Sequence, residues 1–426
     1  MTKLDFKTWP TGSRRLRAAL VLLLLWGGIY LLHLLPGWWG LAIAGGGTLL
    51  MLRHVLQLAL AAAVGPPMPG VDLPTVAVLV PCRNEALVVR GLVANLFSLT
   101  YPAELLEVWV ADDRSEDGTG EVLRALQEKY PRLRVYPRTE GALGKSAVLN
   151  ELLARATGQM IVTLDADAQV GADFLTRTLA YFQDPQVGAV QVRRAVVNPQ
   201  VNWLTQGQRV EMVLDAYYQQ QRVLVGGTGE LRGSGQVVRR TALEQCSGWN
   251  EATITDDLDL TLRLHLNGWQ IAFAHEAPVH EEAVTTVPAL WRQRQRWAEG
   301  GFQRYLDYAP LLGRLGSRKL GDQGVFFTSQ YLLPLGLLPD LYWSFIFGHY
   351  PVLGFLINAA TLTAAWGMFQ GQRELKVPLL ANLQGVLGGS LYFLHWVPVM
   401  IFTLIRMALC PKRLNWVKTP RQAPNR

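Results

Sequence analysis

The sequence has few charged residues and few cysteines for its length. Charged side chains make up 17% of the 426 residues, and half of all residues are hydrophobic. Soluble domains carry about a quarter charged residues, so part of this chain is expected to lie in lipid. The apolar content excludes intrinsic disorder and collagen-like structure. The three cysteines, Cys82, Cys246 and Cys410, are odd in number and far apart, which excludes a disulfide-stabilised scaffold.

Long apolar runs flank the middle of the chain. The first covers residues 16–35, and the second follows Trp38-Trp39 and reaches about Val64. Each run is long enough to cross a hydrocarbon core of about 30 Å, so residues 16–64 predict a transmembrane hairpin with an interfacial tryptophan pair at its turn. Further spans are predicted at 324–347, 351–369 and 379–409. Whether the number of membrane crossings is odd or even stays open, because one late stretch could be interfacial or re-entrant, or the last could be a tight hairpin.

Positive charge concentrates beside these apolar runs. The net charge is +7 and the isoelectric point is about 9.4. Basic residues lie in the arm 1–15 and in the tail 411–426, so the positive-inside rule predicts that both ends, and the domain between the spans, face the cytoplasm. This distribution favours anionic membrane lipids over nucleic acid as a partner. The sequence therefore predicts a multi-pass membrane protein.

The middle of the chain, 71–283, has the pattern of a soluble α/β domain. Short apolar runs alternate with amphipathic stretches of about a dozen residues, which predicts strands followed by helices and a largely parallel sheet. In such sheets, ligands bind at the carboxyl ends of the strands. Functional side chains are therefore expected in the loops that follow the strands. The predicted strands are 76–80, 108–111, 133–136, 161–164 and 187–192.

Three acidic or basic motifs lie at such strand ends or helix starts. Glu85 closes a Pro-Cys-Arg-Asn-Glu loop after the first strand, where an ordinary turn is an equal alternative. Asp112 and Asp113 end the second strand, and paired carboxylates are suited to accept hydrogen bonds from a base N–H or from ribose hydroxyls. The alternative is a solvated acidic turn that caps the next helix. Lys145 could lie near a phosphate, or simply begin a helix.

Asp165 and Asp167 follow the strand at 161–164. In an extended segment, residues i and i+2 point to the same side, so both carboxylates could face one ion. Carboxylate oxygens suit a hard divalent cation, and such a cation neutralises a departing diphosphate. The segment therefore predicts a site for Mg²⁺ or Mn²⁺ between the two aspartates and a substrate diphosphate.

Thr255-Asp256-Asp257 opens an amphipathic helix. Acidic residues stabilise a helix N-terminus and threonine is a good N-cap, so a structural role is one explanation. The functional explanation makes one carboxylate a general base that deprotonates an acceptor hydroxyl.

Gln293, Arg296 and Trp297 lie on a later helix, where their spacing puts them on one face. Arginine binds phosphates in a bidentate manner and tryptophan stacks on sugar faces. The alternative is an interfacial helix with snorkelling arginines and a membrane-anchoring tryptophan.

Two glycine clusters, 226–229 and 233–235, lack the strand-to-helix context of a phosphate-binding loop, and a flexible loop near an acceptor is expected.

The spacing of His265, His275 and His280 does not suit a metal site, so packing or surface roles are predicted.

Five of these motifs, taken in order, resemble the membrane-integrated family 2 glycosyltransferases, the group that contains cellulose, hyaluronan and poly-N-acetylglucosamine synthases. The five are the loop that ends at Glu85, Asp112-Asp113, Asp165-Ala166-Asp167, Thr255-Asp256-Asp257 and the Gln293, Arg296 and Trp297 motif. The resemblance covers about residues 76–300 and extends to the flanking membrane segments. It implies a GT-A-type, Rossmann-like α/β domain inserted between transmembrane helices, and inverting transfer from a UDP-sugar with Mg²⁺ or Mn²⁺. The sequence departs from the family in having Asp256 where glutamate is usual.

The resemblance also implies roles for individual residues. Asp113 contacts the uracil or ribose, with Asp112 beside it, and Asp257 is the catalytic base. Asp167, helped by Asp165, holds the metal. The remaining predicted contacts are Glu85, Lys145 and Asp165 for the nucleotide-sugar, and Gln293, Arg296 and Trp297 for the diphosphate and acceptor.

The acceptor is predicted from two further segments. Residues 291–308 and 414–421 resemble cyanobacterial enzymes that glucosylate diacylglycerol from UDP-glucose, which favours a lipid acceptor and a β-glycolipid product. A processive polysaccharide synthase is the alternative. A membrane scaffold or channel subunit with an inactive transferase domain is a third reading. The intact Asp113, Asp167 and Asp257 set argues against that third reading.

The motifs and the hydropathy pattern together predict six regions. They are a basic arm (1–15), a transmembrane hairpin (16–64), the GT-A domain (71–283), interfacial helices (284–322), C-terminal transmembrane helices (323–410) and a basic tail (411–426).

Overall fold

The computed structural model describes residues 6, 13–35, 37–61, 65–68 and 73–410. The predicted basic tail and most of the predicted basic arm lie outside the described residues. The described residues form eight strands and fifteen α-helices. The strands are β1 (Val76–Cys82), β2 (Leu106–Asp113), β3 (Leu133–Arg138), β4 (Met160–Thr163), β5 (Gln169–Val170), β6 (Val187–Val196), β7 (Gln236–Arg239) and β8 (Gln270–Glu281).

The helices flank the sheet and form the two ends of the described chain. They are α1 (Arg14–Leu34), α2 (Gly37–Ala59), α3 (Val89–Leu96), α4 (Thr119–Lys129), α5 (Lys145–Arg155), α6 (Phe174–Leu179), α7 (Trp203–Leu224), α8 (Arg240–Gln245), α9 (Asp256–Leu266), α10 (Val287–Tyr308), α11 (Gly316–Phe327), α12 (Leu333–Phe347), α13 (Gly354–Glu374), α14 (Leu379–Phe393) and α15 (Trp396–Leu409).

The eight strands form one mixed sheet in the order β3-β2-β1-β4-β7-β6-β8-β5. Strands β3, β2, β1 and β4 are parallel, whereas β7 runs antiparallel to both β4 and β6. All five predicted strands are present. Strands β6 and β8 are parallel to each other, so among the described strands β7 and β5 are the two that run against the other six. The sheet is therefore mixed, and the expectation of a largely parallel sheet fails at β5 and β7. Strands β5, β7 and β8 were missed because β5 and β7 are too short to show a periodicity and β8 has many polar residues.

The sheet buries a core on each face because side chains alternate along its strands. In β1, Val76, Val78 and Val80 pack on one face against α3 and α4. Ala77 and Leu79 pack on the other face against α5, α8 and α9. The parallel registers bring the carboxyl ends of β1, β2 and β4 to one edge of the sheet.

Within the described residues, three helices are long and apolar enough to cross a membrane: Arg14–Leu34, Gly37–Ala59 and Leu379–Leu409. The first two correspond to the predicted hairpin. Trp38 and Trp39 are exposed at its turn, with ring centroids 4.2 Å apart. Of the predicted later spans, the one at 379–409 is long and apolar enough to cross a membrane. Helix α12 continues from α11 through the π-helical turn Thr328–Leu332, so the predicted span 324–347 is helical throughout, and its crossing of a membrane stays a prediction.

The last apolar stretch is a bent helix. Leu394 and His395, which join α14 to α15, keep right-handed helical dihedrals with φ near −60°. A tight hairpin would need a reversal of the backbone, so that alternative is wrong. Helix α14 packs on α7 and α13, whereas α15 packs on α1, α10 and α12.

Candidate active site

A cavity of about 350 Å³ lies where the carboxyl edge of the sheet meets α7, α9 and α10. Its wall includes residues that end or follow β1, β4, β6 and β8, as expected for an α/β sheet. Motifs that are far apart in the sequence therefore share one wall. The predicted site residues on this wall are Glu85, Lys145, Asp165, Asp257, Gln293, Arg296 and Trp297.

Lys145 lies between the acidic residues of the cavity. Gly144, with φ +120°, precedes it and allows α5 to begin at the lysine. The Nζ atom of Lys145 lies 2.7 Å from Oδ1 of Asp165. Burial disfavours the charged amine, but Asp165 and Asp256 outweigh burial and raise the pKa of Lys145. A protonated amine at a helix N-terminus suits a diphosphate anion.

The two aspartates Asp256 and Asp257 begin α9 and line the cavity. Asp256 is buried, and its Oδ2 atom has no hydrogen-bond partner among the residues that the structure describes. Oδ1 of Asp257 accepts a hydrogen bond from the backbone N–H of Leu258 at 2.9 Å. Burial and the neighbouring charge of Asp256 raise the pKa of Asp257 to about 6. Such a carboxylate is ionised at neutral pH and basic enough to accept a proton.

The segment Asp165-Ala166-Asp167 is a turn. The backbone N–H of Ala168 donates to the carbonyl of Asp165 at 3.0 Å, which closes the turn. Asp165 lines the cavity, whereas Oδ2 of Asp167 accepts a hydrogen bond from the N–H of Glu282 at 3.5 Å. The expectation of an extended segment is therefore wrong, because the strand ends before the first aspartate.

The carboxylate of Asp165 on the cavity wall has the donor chemistry that a divalent cation needs, and Asp167, which follows in the same turn, stays a predicted second ligand. Among the residues that the structure describes, no group of three or more His, Cys, Asp or Glu side chains is arranged to hold a metal ion. Mg²⁺ is usually bound by one or two protein carboxylates, and substrate phosphates and water complete its coordination. Asp165 and Asp167 supply two carboxylates at the carboxyl end of β4. The donor set therefore suits a cation that arrives with a diphosphate.

The aspartates that end β2 do not belong to the cavity wall. Asp113 is fully buried, and its Oδ1 accepts hydrogen bonds from Arg138 at 2.7 Å and from Arg114 at 2.8 Å. Within the described part of the chain, its Oδ2 has no hydrogen-bond partner. Asp112 accepts a hydrogen bond from the backbone N–H of Ser115 at 3.3 Å. The nucleotide contacts of both aspartates stay predictions, and Arg138 is a partner that sequence reasoning missed.

The motif on α10 presents Gln293, Arg296 and Trp297 to the cavity, so the predicted shared face is confirmed. Arg294 is buried and forms an ion pair with Glu211 on α7. The guanidinium carbon of Arg294 lies 4.0 Å from the ring centroid of Trp297, within range of a cation–π contact. The buried arginine therefore fixes the indole that faces the cavity.

Known proteins share much of the sequence of this chain. Residues 74–300, more than half of its length, match the family described as glycosyltransferase like family 2. The chain belongs to glycosyltransferase family 2. It is 45% identical over 420 residues to a β-monoglucosyldiacylglycerol synthase of Trichormus variabilis, covering 96% of this chain and 89% of that protein. A Synechocystis protein of the same name is 44% identical over 426 residues, covering 96% and 88%.

A solved structure shares the fold of this family 2 glycosyltransferase. The mannosyltransferase PcManGT from Pyrobaculum calidifontis, in complex with GDP-Man and Mn²⁺, superposes with a TM-score of 0.59 at 22% identity. The match covers 89% of this chain and 99% of that one. The predicted family, the hexosyltransferase class and the GT-A-like fold are confirmed.

Two arginines on the cavity wall were missed by sequence reasoning. Arg194 lies in β6 and pairs with Glu281 in β8 at 2.6 Å. Arg232 pairs with Asp215 on α7 at 2.7 Å. The signal that could have found Arg194 is its place near the carboxyl end of a predicted strand. Each arginine is paired with a carboxylate that also lines the cavity, so the two pairs add polar groups to the wall without a net positive charge.

The glycine-rich segment 226–235 is mostly buried, so the expectation of a flexible loop is wrong. Glu230 is fully buried and pairs with Arg232 at 2.8 Å. Burial opposes its ionisation, but the surrounding arginines lower the pKa of Glu230 to about 2. Gly233 has φ +90°, and a Cβ atom there would lie 3.5 Å from Oδ2 of Asp257. The glycine therefore brings backbone close to the predicted base.

The histidines have structural surroundings. His265 is buried, and its Nε2 atom lies 2.8 Å from the carbonyl oxygen of Gly229. Burial lowers the pKa of His265 and of His275 to about 4, so both rings are neutral at pH 7. The predicted packing role is confirmed for His265.

Proposed function

We propose that the protein is an inverting glucosyltransferase that moves glucose from UDP-glucose to diacylglycerol and forms a β-glycolipid. The observation that carries the proposal is the single cavity that joins Asp257, Lys145 and the Gln293, Arg296 and Trp297 face. Glucose and diacylglycerol are supported by the names of relatives that are 44–45% identical over 96% of the chain.

In the proposed reaction, Asp257 accepts the proton of the free hydroxyl of diacylglycerol. The hydroxyl oxygen forms a bond to the anomeric carbon of glucose from the face opposite UDP. The bond between that carbon and the phosphate oxygen breaks, and its electron pair leaves with UDP. Lys145 and Arg296 bind the diphosphate, and Trp297 stacks on a sugar face. An inverting transfer to this acceptor needs one base, in contrast to the two carboxyl groups of glycoside hydrolases.

Asp165 and Asp167 would hold the divalent cation. When bound, the cation would neutralise negative charge on the departing diphosphate. We expect chelation by EDTA to abolish transfer and excess Mg²⁺ or Mn²⁺ to restore it. Asp167→Asn should raise the metal concentration that gives half-maximal activity, because it removes a charged ligand. Asp173→Asn is the matched control, because Asp173 is exposed and pairs with Arg177. Full activity in EDTA would contradict the metal site.

We further propose that the GT-A domain, 71–283, lies on the cytoplasmic side of a bacterial plasma membrane or thylakoid. In this arrangement it is inserted between the hairpin 16–64 and the helices of 323–410, with 284–322 at the interface. Three apolar helices and the exposed leucines of α1 support it. The basic arm and tail would then contact anionic lipids.

The proposal is tested by a transfer assay on membranes that contain the protein. Labelled UDP-glucose and UDP-N-acetylglucosamine are supplied separately, and the products are partitioned between water and organic solvent. Label from UDP-glucose in a small organic-soluble lipid supports the proposal. Insoluble or water-soluble label of high mass would instead indicate a processive polysaccharide synthase, and no transfer from either donor would contradict glucosyl transfer.

The role of Asp257 has its own test in the same assay. Asp257→Asn should lower the transfer rate by about 10²- to 10⁴-fold, because general bases contribute roughly that much. The exposed Asp173→Asn variant should keep the rate of the unaltered protein. Equal rates in the two variants would remove Asp257 from the role of base.

A further inference from the structure

The cavity has two chemically different parts. At the sheet edge its wall carries the charged residues Lys145, Asp165 and Asp257. Away from the sheet, two helical segments supply side chains that are aromatic or apolar, together with one amide. These residues are Phe326, Gln330, Tyr331, Phe393, Trp396 and Met400. Two ion-paired residues that also line the cavity, Glu211 and Arg222, contact Trp396 and Phe326. The cavity therefore suits a molecule that carries both polar and apolar groups.

One of the two segments contains a π-helical turn, Thr328–Leu332, between α11 and α12. Such turns are frequent at functional sites. Here the consecutive residues Gln330 and Tyr331 both reach the cavity wall. Tyr331 is buried against Gly301 of α10, where any Cβ atom would collide with its hydroxyl. The turn therefore fixes an aromatic wall beside the helix that carries Trp297.

The other segment is the bend between α14 and α15. Phe393 and Trp396 lie on either side of the bend, and Nε1 of Trp396 donates a hydrogen bond to Glu211 at 3.0 Å. Leu391 and Leu394 of the same segment are 56% and 60% exposed. The two helices together are long and apolar enough to cross a membrane. The cavity wall is thus one face of a helix whose other face suits lipid.

We infer that this aromatic part of the cavity binds the glycerol and the first acyl carbons of the diacylglycerol acceptor. The lipid would arrive sideways from the bilayer, past Phe393 and Met400. The inference rests on the proposed function. Diacylglycerol carries one free hydroxyl at its polar end and two acyl chains at the other, which matches a cavity lined both by Asp257 and by Phe393 and Met400. Gln330 supplies an amide donor for an ester carbonyl.

A cavity-filling variant tests the site. Met400→Trp adds volume to a side chain that is only 4% exposed, whereas Leu391→Trp adds the same group on the exposed face. In phosphatidylcholine nanodiscs that contain dioleoylglycerol, Met400→Trp should raise the KM for dioleoylglycerol by about tenfold, because overpacking obstructs binding. The KM for UDP-glucose should stay within about twofold in both variants. Equal dioleoylglycerol KM values in the two variants would overturn the inference.

A second measurement uses the unaltered protein, because Met400→Trp could also disturb folding. Diacylglycerol with a photoreactive diazirine on the first acyl carbons should label peptides that contain 326–331 and 393–400, and unlabelled dioleoylglycerol should prevent the labelling. Labelling confined to the exposed faces of α1 and α14, unaffected by competitor, would overturn the site.

The two proposals fail in different ways. If the unaltered protein forms no labelled lipid from UDP-glucose, the proposed function is wrong. If it forms the lipid while Met400→Trp matches Leu391→Trp and the diazirine labels other segments, the function stands and the acceptor site is wrong.

Discussion

The proposed chemistry depends on the ionisation of a single residue, Asp257. Burial and the charge of Asp256 raise its pKa to about 6, so Asp257 is protonated below pH 6 and ionised above it. Only the ionised form accepts a proton. We expect kcat/KM for diacylglycerol to rise about tenfold per pH unit below pH 6 and to level off above it. The measurement is a profile of kcat/KM between pH 5 and pH 8.

Asp256→Asn tests the physical cause of this profile. The substitution removes the neighbouring negative charge, which lowers the pKa of Asp257 and should move the acid limb to lower pH. The quantity to compare is the pH at which the acid limb of the kcat/KM profile levels off, because the substitution can also change the rate itself. Asp173→Asn should leave the limb where it is. If the acid limb of Asp256→Asn lay at the same pH as that of the unaltered protein, a group other than Asp256 would determine its position.

At the scale of single helices, the site depends on the close packing of α9 against α10. A Cβ atom at Gly300 of α10 would collide with the side chain of Thr255, the N-cap residue of α9. We expect Gly300→Ala to lower the free energy of unfolding by about 1–3 kcal/mol, because the two helices must separate. It should also lower the transfer rate, because α9 carries Asp257. Denaturant unfolding and the transfer assay measure the two effects.

The matched control for this contact is Gly321→Ala on α11. Gly321 has no neighbouring atom within 4 Å of an added Cβ atom. Alanine is favoured over glycine inside a helix, so this variant should be neutral or more stable by up to about 1 kcal/mol. If Gly300→Ala were as stable as Gly321→Ala, the close approach of α9 and α10 would not be needed.

Across the whole molecule, a buried ionic cluster ties the GT-A domain to the helices that follow it. Glu230 lies 2.8 Å from Arg232, 3.3 Å from Arg304 on α10 and 3.6 Å from Arg222 on α7. Arg222 also pairs with Asp322 on α11 at 2.9 Å. Helices on both sides of the cavity are therefore held by one set of charges.

We expect Glu230→Gln to destabilise the protein by about 3–5 kcal/mol, because it leaves buried arginines without their charge partner. Glu121→Gln is the control, since Glu121 and Arg124 form an exposed pair. An exposed pair contributes at most about 1 kcal/mol. Thermal unfolding of both variants in detergent measures the difference, and equal melting temperatures would contradict a stabilising role for the cluster.

The sequence by itself determined five of the eight described strands and the location of the main motifs. Apolar runs and their periods are local properties, so the five predicted strands, the N-terminal pair of apolar helices and the α10 face were predictable. The family could also be predicted, because five short motifs in a fixed order are specific even when each alone is common.

Only the tertiary structure decided which distant residues meet. The antiparallel insertion of β7 between β4 and β6, the burial of Asp113 against Arg138 and the arrival of Arg232 at the cavity depend on contacts between segments far apart in the chain. The same holds for the aromatic wall from α14 and α15. Local sequence patterns do not encode such contacts, because they arise from the packing of whole elements around a shared core.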